Sequence, residues 1–238
     1  RIIEVAVFMM NNYPDSEEVQ KLGIELLEAF VSQEGDMVAF LELGGLDAVV
    51  RAMHGESEYI SASCCKLLFA ASKTPVVRDA IVQVEGVSML LMAMSEYPKS
   101  TKIHQYAAAA LANLVVSHEV CKQIIEPSEL SGSGLELLYR SLKEFKSNED
   151  VEASVTQILD RLLEMEEPLH KRFCDLHPLE ILQEVLGNFK TNEAVVYNVC
   201  GILSSLAAEV ARKIGRYNRS MLELVNECME IHQEKARP

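Results

Sequence analysis

One apolar pattern returns five times along this chain and leaves little choice of fold. Aligned on Val19, Ile60, Ile103, Val151 and Val195, each copy carries a leucine eight residues on, at Leu27, Leu68, Leu111, Leu159 and Leu203. Eleven residues on come Phe30, Ala71, Leu114, Leu162 and Leu206. The anchors lie 41, 43, 48 and 44 residues apart. A unit of that length buries its apolar face only by stacking on its neighbours, so the recurrence predicts a helical solenoid. Stacks of this kind hold out a surface for something else to bind.

Each copy resolves into three helical stretches. The first is long: over 17–31, Val19, Leu22, Gly23, Leu26, Leu27 and Phe30 recur at helical spacing. Its equivalents fall at about 58–71, 102–116, 150–163 and 193–207. Many follow a polar cluster able to cap a helix, such as Asp15-Ser16, Ser100-Thr101, Ser147-Asn148 and Thr191-Asn192. A short apolar stretch comes next, at 37–43, 77–84, 120–125, 169–176 and 210–214. The third opens at a break: Gly44-Gly45, Gly86, Gly134, Pro178 and Ser220. The third copy is longer by about five residues, and the excess falls in the Gly/Ser/Pro-rich run Pro127 to Gly134, an exposed loop.

Three helices per unit, with a small residue where the short and third helices meet, resembles the armadillo repeat over about residues 14–230. The resemblance implies an all-α, right-handed α-solenoid of about five three-helix repeats, near 14–55, 56–98, 99–146, 147–190 and 191–230. Residues 1–13 then read as the last helix of a preceding repeat or an N-terminal cap, and 231–238 as a tail. Tyr13-Pro-Asp-Ser-Glu-Glu-Val-Gln-Lys-Leu-Gly also resembles the armadillo regions attached to leucine-rich-repeat kinases.

In armadillo arrays the long helix lines the concave side, and the third, sixth and tenth residues after each anchor face the groove. Here the third positions hold Leu22, Ser63, Tyr106, Ser154 and Asn198, and the sixth hold Glu25, Lys66, Ala109, Gln157 and Gly201. The tenth hold Ala29, Ala70, Asn113, Arg161 and Ser205. The resemblance thus marks Lys66, Tyr106, Asn113, Arg161 and Asn198 as candidate partner-binding residues. Family members that grip extended peptides repeat Asn at the tenth position and often Trp at the sixth. This chain keeps that Asn once, at Asn113, and has no Trp. A repeating backbone clamp needs a repeated donor, so a partner helix, a folded domain or a second copy is the better expectation. Ala29, Ala70, Ala109 and Gly201 leave room for something bulky. Structural readings compete: Tyr106 packing between units, Asn113 bridging repeats, and Arg161 in an exposed pair with Glu164.

Composition narrows the partner further. A formal charge of −14 excludes general affinity for nucleic acid or anionic membrane, which require a basic footprint. No apolar run approaches the roughly 18 residues of a membrane span. The chain carries no signal pattern and does not begin with Met, the expectation being an excised domain. Six cysteines without a C-x-x-C pair read as buried reduced thiols in the cytoplasm or nucleus. His170, Cys174 and His177 have zinc-competent spacing. Cys174, however, aligns with the core residue Leu41, and His177 with Gly44 at a helix break, so no metal is assigned. No phosphate-binding, dinucleotide, zinc-protease or nucleophile-elbow motif is present. Arg212, Lys213, Arg216 and Arg219 form a basic cluster that reads as a soluble helix end.

The sequence therefore points to a non-catalytic scaffold that binds a protein or peptide partner, without cofactor, within a larger signalling protein. The alternative is a spacer or homodimerisation element beside a kinase or kinase-like domain.

Overall fold

The computed structural model describes residues 2–31, 36–126, 132–214 and 219–235. The loop residues 127–131, Arg216 and the end residues 236–238 fall outside them, as do the side chains of Arg212, Lys213 and Arg219. Among the described residues there is no strand. The helices fall into two compact units.

The first unit holds α1 (Ile2–Asn12), α2 (Glu17–Val31), α3 (Asp36–Glu42), α4 (Gly45–Ala52), α5 (Glu58–Ala71), α6 (Pro75–Gln83), α7 (Gly86–Glu96) and α8 (Thr101–Leu114). The long helix α5 packs between α2 and α8, and α1 packs on α2 and α4. Flanked on both sides, α5 buries Ile60, Cys64, Cys65, Leu67, Leu68 and Ala71. The same apolar rows on α2 and α8 supply Ile24, Leu27, Ile103 and Leu111 to the core.

The second unit holds α9 (His118–Ile125), α10 (Gly134–Glu144), α11 (Glu149–Met165), α12 (Leu169–Asp175), α13 (Leu179–Asn188), α14 (Glu193–Ile214) and α15 (Arg219–Lys235). Here α11 lies along α14, while α10 packs on α11 and α13, and α13 on α14 and α15.

Three helices of the second unit begin where a polar side chain satisfies a free N–H group. The Val151 N–H donates to Asn148 Oδ1 at 3.1 Å and the Val195 N–H to Asn192 Oδ1 at 3.0 Å. Ser133 caps α10 by accepting from Leu135 N–H at 3.2 Å. The glycines at the break have a steric cause. A Cβ on Gly45 or Gly86 would stand 2.8 Å from the carbonyl oxygen of Phe40 or Ile81, and one on Gly134 would overlap that of Ile124. At these three joints only a residue without a side chain lets the third helix seat on the last turn of the short one.

One expected element differs. The short stretch at 210–214 is not a separate helix, because α14 runs unbroken for 22 residues. Leu206-Ala-Ala-Glu-Val-Ala-Arg contains only good helix formers and one valine, with no glycine, proline or cap to stop it.

Candidate partner-binding surface

In each unit the long helices leave one polar face open. In the first, Glu25 and Glu28 from α2, Tyr59, Ser63 and Lys66 from α5, and Lys102 and Tyr106 from α8 line a shallow pocket of about 200 Å³. The Lys66 ammonium donates to Glu28 Oε2 at 2.7 Å, and that bond holds its pKa above the usual lysine value. The Tyr59 hydroxyl donates to Glu25 Oε1 at 2.9 Å, and the Lys21 ammonium sits 4.7 Å from the Tyr59 ring centre. Tyr106 stacks on Phe69, ring centres 6.4 Å apart. The fold thus brings Lys66 and Tyr106 together.

Asn113 lies farther along α8 and points elsewhere. Its Nδ2 donates to Ser72 Oγ at 2.9 Å, and Ser72 Oγ donates to the Phe69 carbonyl at 2.8 Å. This side chain bridges α8 to the end of α5, the structural role that competed with ligand binding in the sequence.

In the second unit an open pocket of about 680 Å³ lies between α11 and α14, lined by Gln157, Asp160, Arg161, Glu164, Glu193, Ala194, Tyr197 and Asn198. Arg161 and Asn198 meet here. The Arg161 guanidinium stands 3.7 Å from Glu164 Oε2, one helical turn on, with both side chains more than half exposed. Such a pair holds its partners loosely. Asn198 is buried, and its amide donates to the Ala153 carbonyl and to Thr156 Oγ1, each at 3.3 Å. It fastens α14 to α11 at the floor of the pocket. Tyr197 stands over it, 74% exposed.

Asp160 changes the reading of Gly201. A side chain at Gly201 would overlap the Asp160 carboxylate, so the space expected there for a bulky ligand is filled by Asp160 itself. Burial pushes Asp160 up to about 6, with Glu164 adding to the shift and Arg161 opposing it.

Tyr59, Glu28, Asp160 and Tyr197 were not singled out from sequence. Glu28 and Asp160 fall beside the tenth position, Tyr197 beside the third, and Tyr59 just before an anchor, and a groove between packed helices is wide enough to take in those neighbours. Tyr197, an aromatic among otherwise aliphatic and polar residues at the start of α14, was the available signal. Of the zinc-like trio, His170 Nε2 lies 2.7 Å from the Leu163 carbonyl, Cys174 is buried, and His177 adopts a φ of 55° beyond α12. No cluster fit to hold a metal ion exists among the described residues. None of the six cysteines forms a disulfide, and burial pushes Cys65 up to about 12 and Cys121 to about 11, far from thiolate reactivity.

No family model and no curated protein matches the chain. Solved structures do. A computationally designed armadillo repeat protein for modular peptide recognition aligns with a TM-score of 0.73 at 16% identity, covering 96% of this chain and 99% of that one. An engineered protein aligns with a TM-score of 0.67 at 18% identity, over 98% and 97%. A designed armadillo repeat protein in complex with the peptide (KR)4 aligns with a TM-score of 0.58 at 17% identity, over 97% and 99%. These likenesses establish the fold: the chain is an all-α solenoid of the armadillo-repeat type. No described helix is long and apolar enough to cross a membrane.

Proposed function

We propose that this chain is a non-catalytic scaffold that binds a protein or peptide partner on the open face of its long helices. One observation carries the reading: the α11–α14 pocket presents exposed Tyr197 and loosely held Arg161 and Glu164 above a rigid floor fixed by Asn198. An aromatic with little conformational freedom beside polar groups free to re-pair is the composition of a binding anchor. Asp160, Glu164 and Glu193 outnumber Arg161 there, so the complementary partner group carries positive charge. Two of the structural neighbours are designed for, or bound to, peptides, which supports a peptide-binding use of the face. With Asn198 fixed between helices and Asn113 bound to Ser72, affinity would come from local anchors and not from a ladder along the ligand backbone. Lys66 and Tyr106 form the corresponding anchor of the first unit. Six cysteines without a disulfide suit a reducing compartment, and we place the module in the cytoplasm or nucleus within a larger signalling protein.

The test starts from peptides selected on the chain from a random display library. Tyr197→Ala with Glu193→Lys should weaken the selected peptides at least tenfold, about 1.4 kcal/mol, while far-UV circular dichroism stays unchanged. Binding that survives both substitutions removes the α11–α14 face from consideration.

A second reading, self-association, is favoured by Ile2, Val5 and Phe8, which form an apolar stripe on α1 at 49%, 52% and 64% exposure. Light scattering decides it: a monomer at every concentration rules out that dimer.

A further inference from the structure

In the first and third copies the residue just after the anchor bonds the end of the preceding helix, and the repeat puts its counterparts in the same slot. In the first copy it is Gln20, whose side-chain amide donates to the carbonyls of Met10 at 2.8 Å and Tyr13 at 2.9 Å, ten and seven residues back. In the third it is His104, whose Nε2 lies 3.1 Å from the Met94 carbonyl, again ten residues back, with the Tyr97 backbone seven back also bonded to the ring. The Met10 and Met94 carbonyls belong to helix ends, where no intrahelical donor remains for them, while those of Tyr13 and Tyr97 also accept from the Ser16 and Ser100 N–H groups. Burial pulls His104 down to about 4, so its ring is neutral and Nε2 faces Met94 as an N–H donor. The second and fifth copies place Ser61 and Val196 in the slot.

The fourth copy puts Glu152 there. Ten and seven residues back are Leu142 and Phe145, at the end of α10. Glu152 is fully buried, and neither carboxyl oxygen has a hydrogen-bond partner among the described residues. A carboxylate offers only lone pairs to such carbonyls, whereas the acid form supplies an O–H in place of the glutamine amide and the imidazole. We infer that Glu152 is a neutral carboxylic acid whose O–H joins the first turn of α11 to the last turn of α10, making that joint sensitive to pH.

The surroundings agree. From α13 comes a like charge, Glu184, itself held by Lys146 at 2.7 Å just beyond α10. Glu149, on the same turn as Glu152, is occupied by Asn192 at the start of α14, and no titratable group of α10 or α14 shifts Glu152. Burial first, then Glu184, push it up to about 8 from an ordinary 4.5. Between those values the folded chain holds a proton that the unfolded chain has lost, so stability falls as pH rises and levels off above about 8. The joint is close to the binding face: Thr156 Oγ1 donates to the Glu152 carbonyl at 2.6 Å and accepts from Asn198.

The experiment is equilibrium unfolding of the intact chain from pH 5 to 9.5, with Glu152→Gln as the comparison. Glutamine keeps an N–H donor and does not titrate. The unfolding constant of the wild type should rise relative to the variant by up to about tenfold per pH unit until about pH 8, and then run parallel to it. Parallel curves throughout overturn the inference. Carboxyl ¹³C NMR of the wild type decides the matter without any variant: one glutamate titrating near pH 8 supports it, and every glutamate titrating below pH 6 overturns it.

Discussion

The same substitution should act in opposite directions at two glycines of the second unit. At Gly134, which opens α10, an added methyl would overlap the carbonyl oxygen of Ile124. That atom is backbone, so relief requires α10 to move away from the last turn of α9. Overpacking of this kind costs about 1–3 kcal/mol. Because the overlapped atom is backbone, the upper part of that range, about 2–3 kcal/mol, applies, and alanine's better helix propensity returns at most about 1 kcal/mol, which leaves a net loss of about 1–2 kcal/mol. At Gly187, next to the last residue of α13, a methyl meets nothing within 4 Å. There the gain in helix propensity and the reduced freedom of the unfolded chain act alone, at about 0.5–1 kcal/mol. Urea unfolding followed by circular dichroism compares the two within one compact unit. The midpoint should fall for Gly134→Ala and rise for Gly187→Ala, with the slope of each transition unchanged. If Gly134→Ala is as stable as the wild type, the argument that glycine is required for the third helix to seat on the short one is wrong.

Three other outcomes follow from the second unit. Asn198→Ala removes both bonds from α14 to α11 and should cost about 1–2 kcal/mol in chemical unfolding, while the Ala153 carbonyl keeps its bond from Thr156 Oγ1. Arg161→Ala breaks only a 3.7 Å exposed pair and should change stability by less than about 0.5 kcal/mol; a larger loss would show that Arg161 has a structural role. Asp160, raised to about 6 from an ordinary 3.8, keeps its proton longer when folded than when unfolded. Its contribution to stability therefore falls as pH rises between those values, and Asp160→Asn should flatten the pH 4–6 part of the stability curve. Identical curves would contradict the assigned shift.

The architecture was legible because it rests on repetition. Five registered copies of one apolar pattern point to the same long helix five times, and α2 and α5 begin and end where the spacing places them. The breaks were legible for a related reason, since glycine at Gly45, Gly86 and Gly134 answers a steric demand that recurs with the fold. The merged α14 was missed by following the repeat against local chemistry: nothing in Leu206 to Arg212 stops a helix. Features that depend on a pair of residues were hidden. The small size of Gly201 read as space for a ligand, and only its juxtaposition with Asp160, 41 positions earlier, shows that the space is filled. Asn113 and Asn198 carried the right chemistry for a ligand, but their hydrogen bonds go to neighbouring helices, which a one-dimensional pattern does not record. Glu152 is one of three acids in the first turn of α11, and only its burial with both carboxyl oxygens unpartnered sets it apart from Glu149 and Asp150.

The central claim is that partners dock on the open face of the long helices. Its most direct measurement is photocrosslinking of a selected peptide carrying a diazirine, with the attachment sites mapped by mass spectrometry on the unmodified chain. The account expects crosslinks on α11 and α14 at Gln157, Arg161, Glu193 or Tyr197, or on α5 and α8 around Lys66 and Tyr106. Crosslinks confined to α10 and α13 would contradict it.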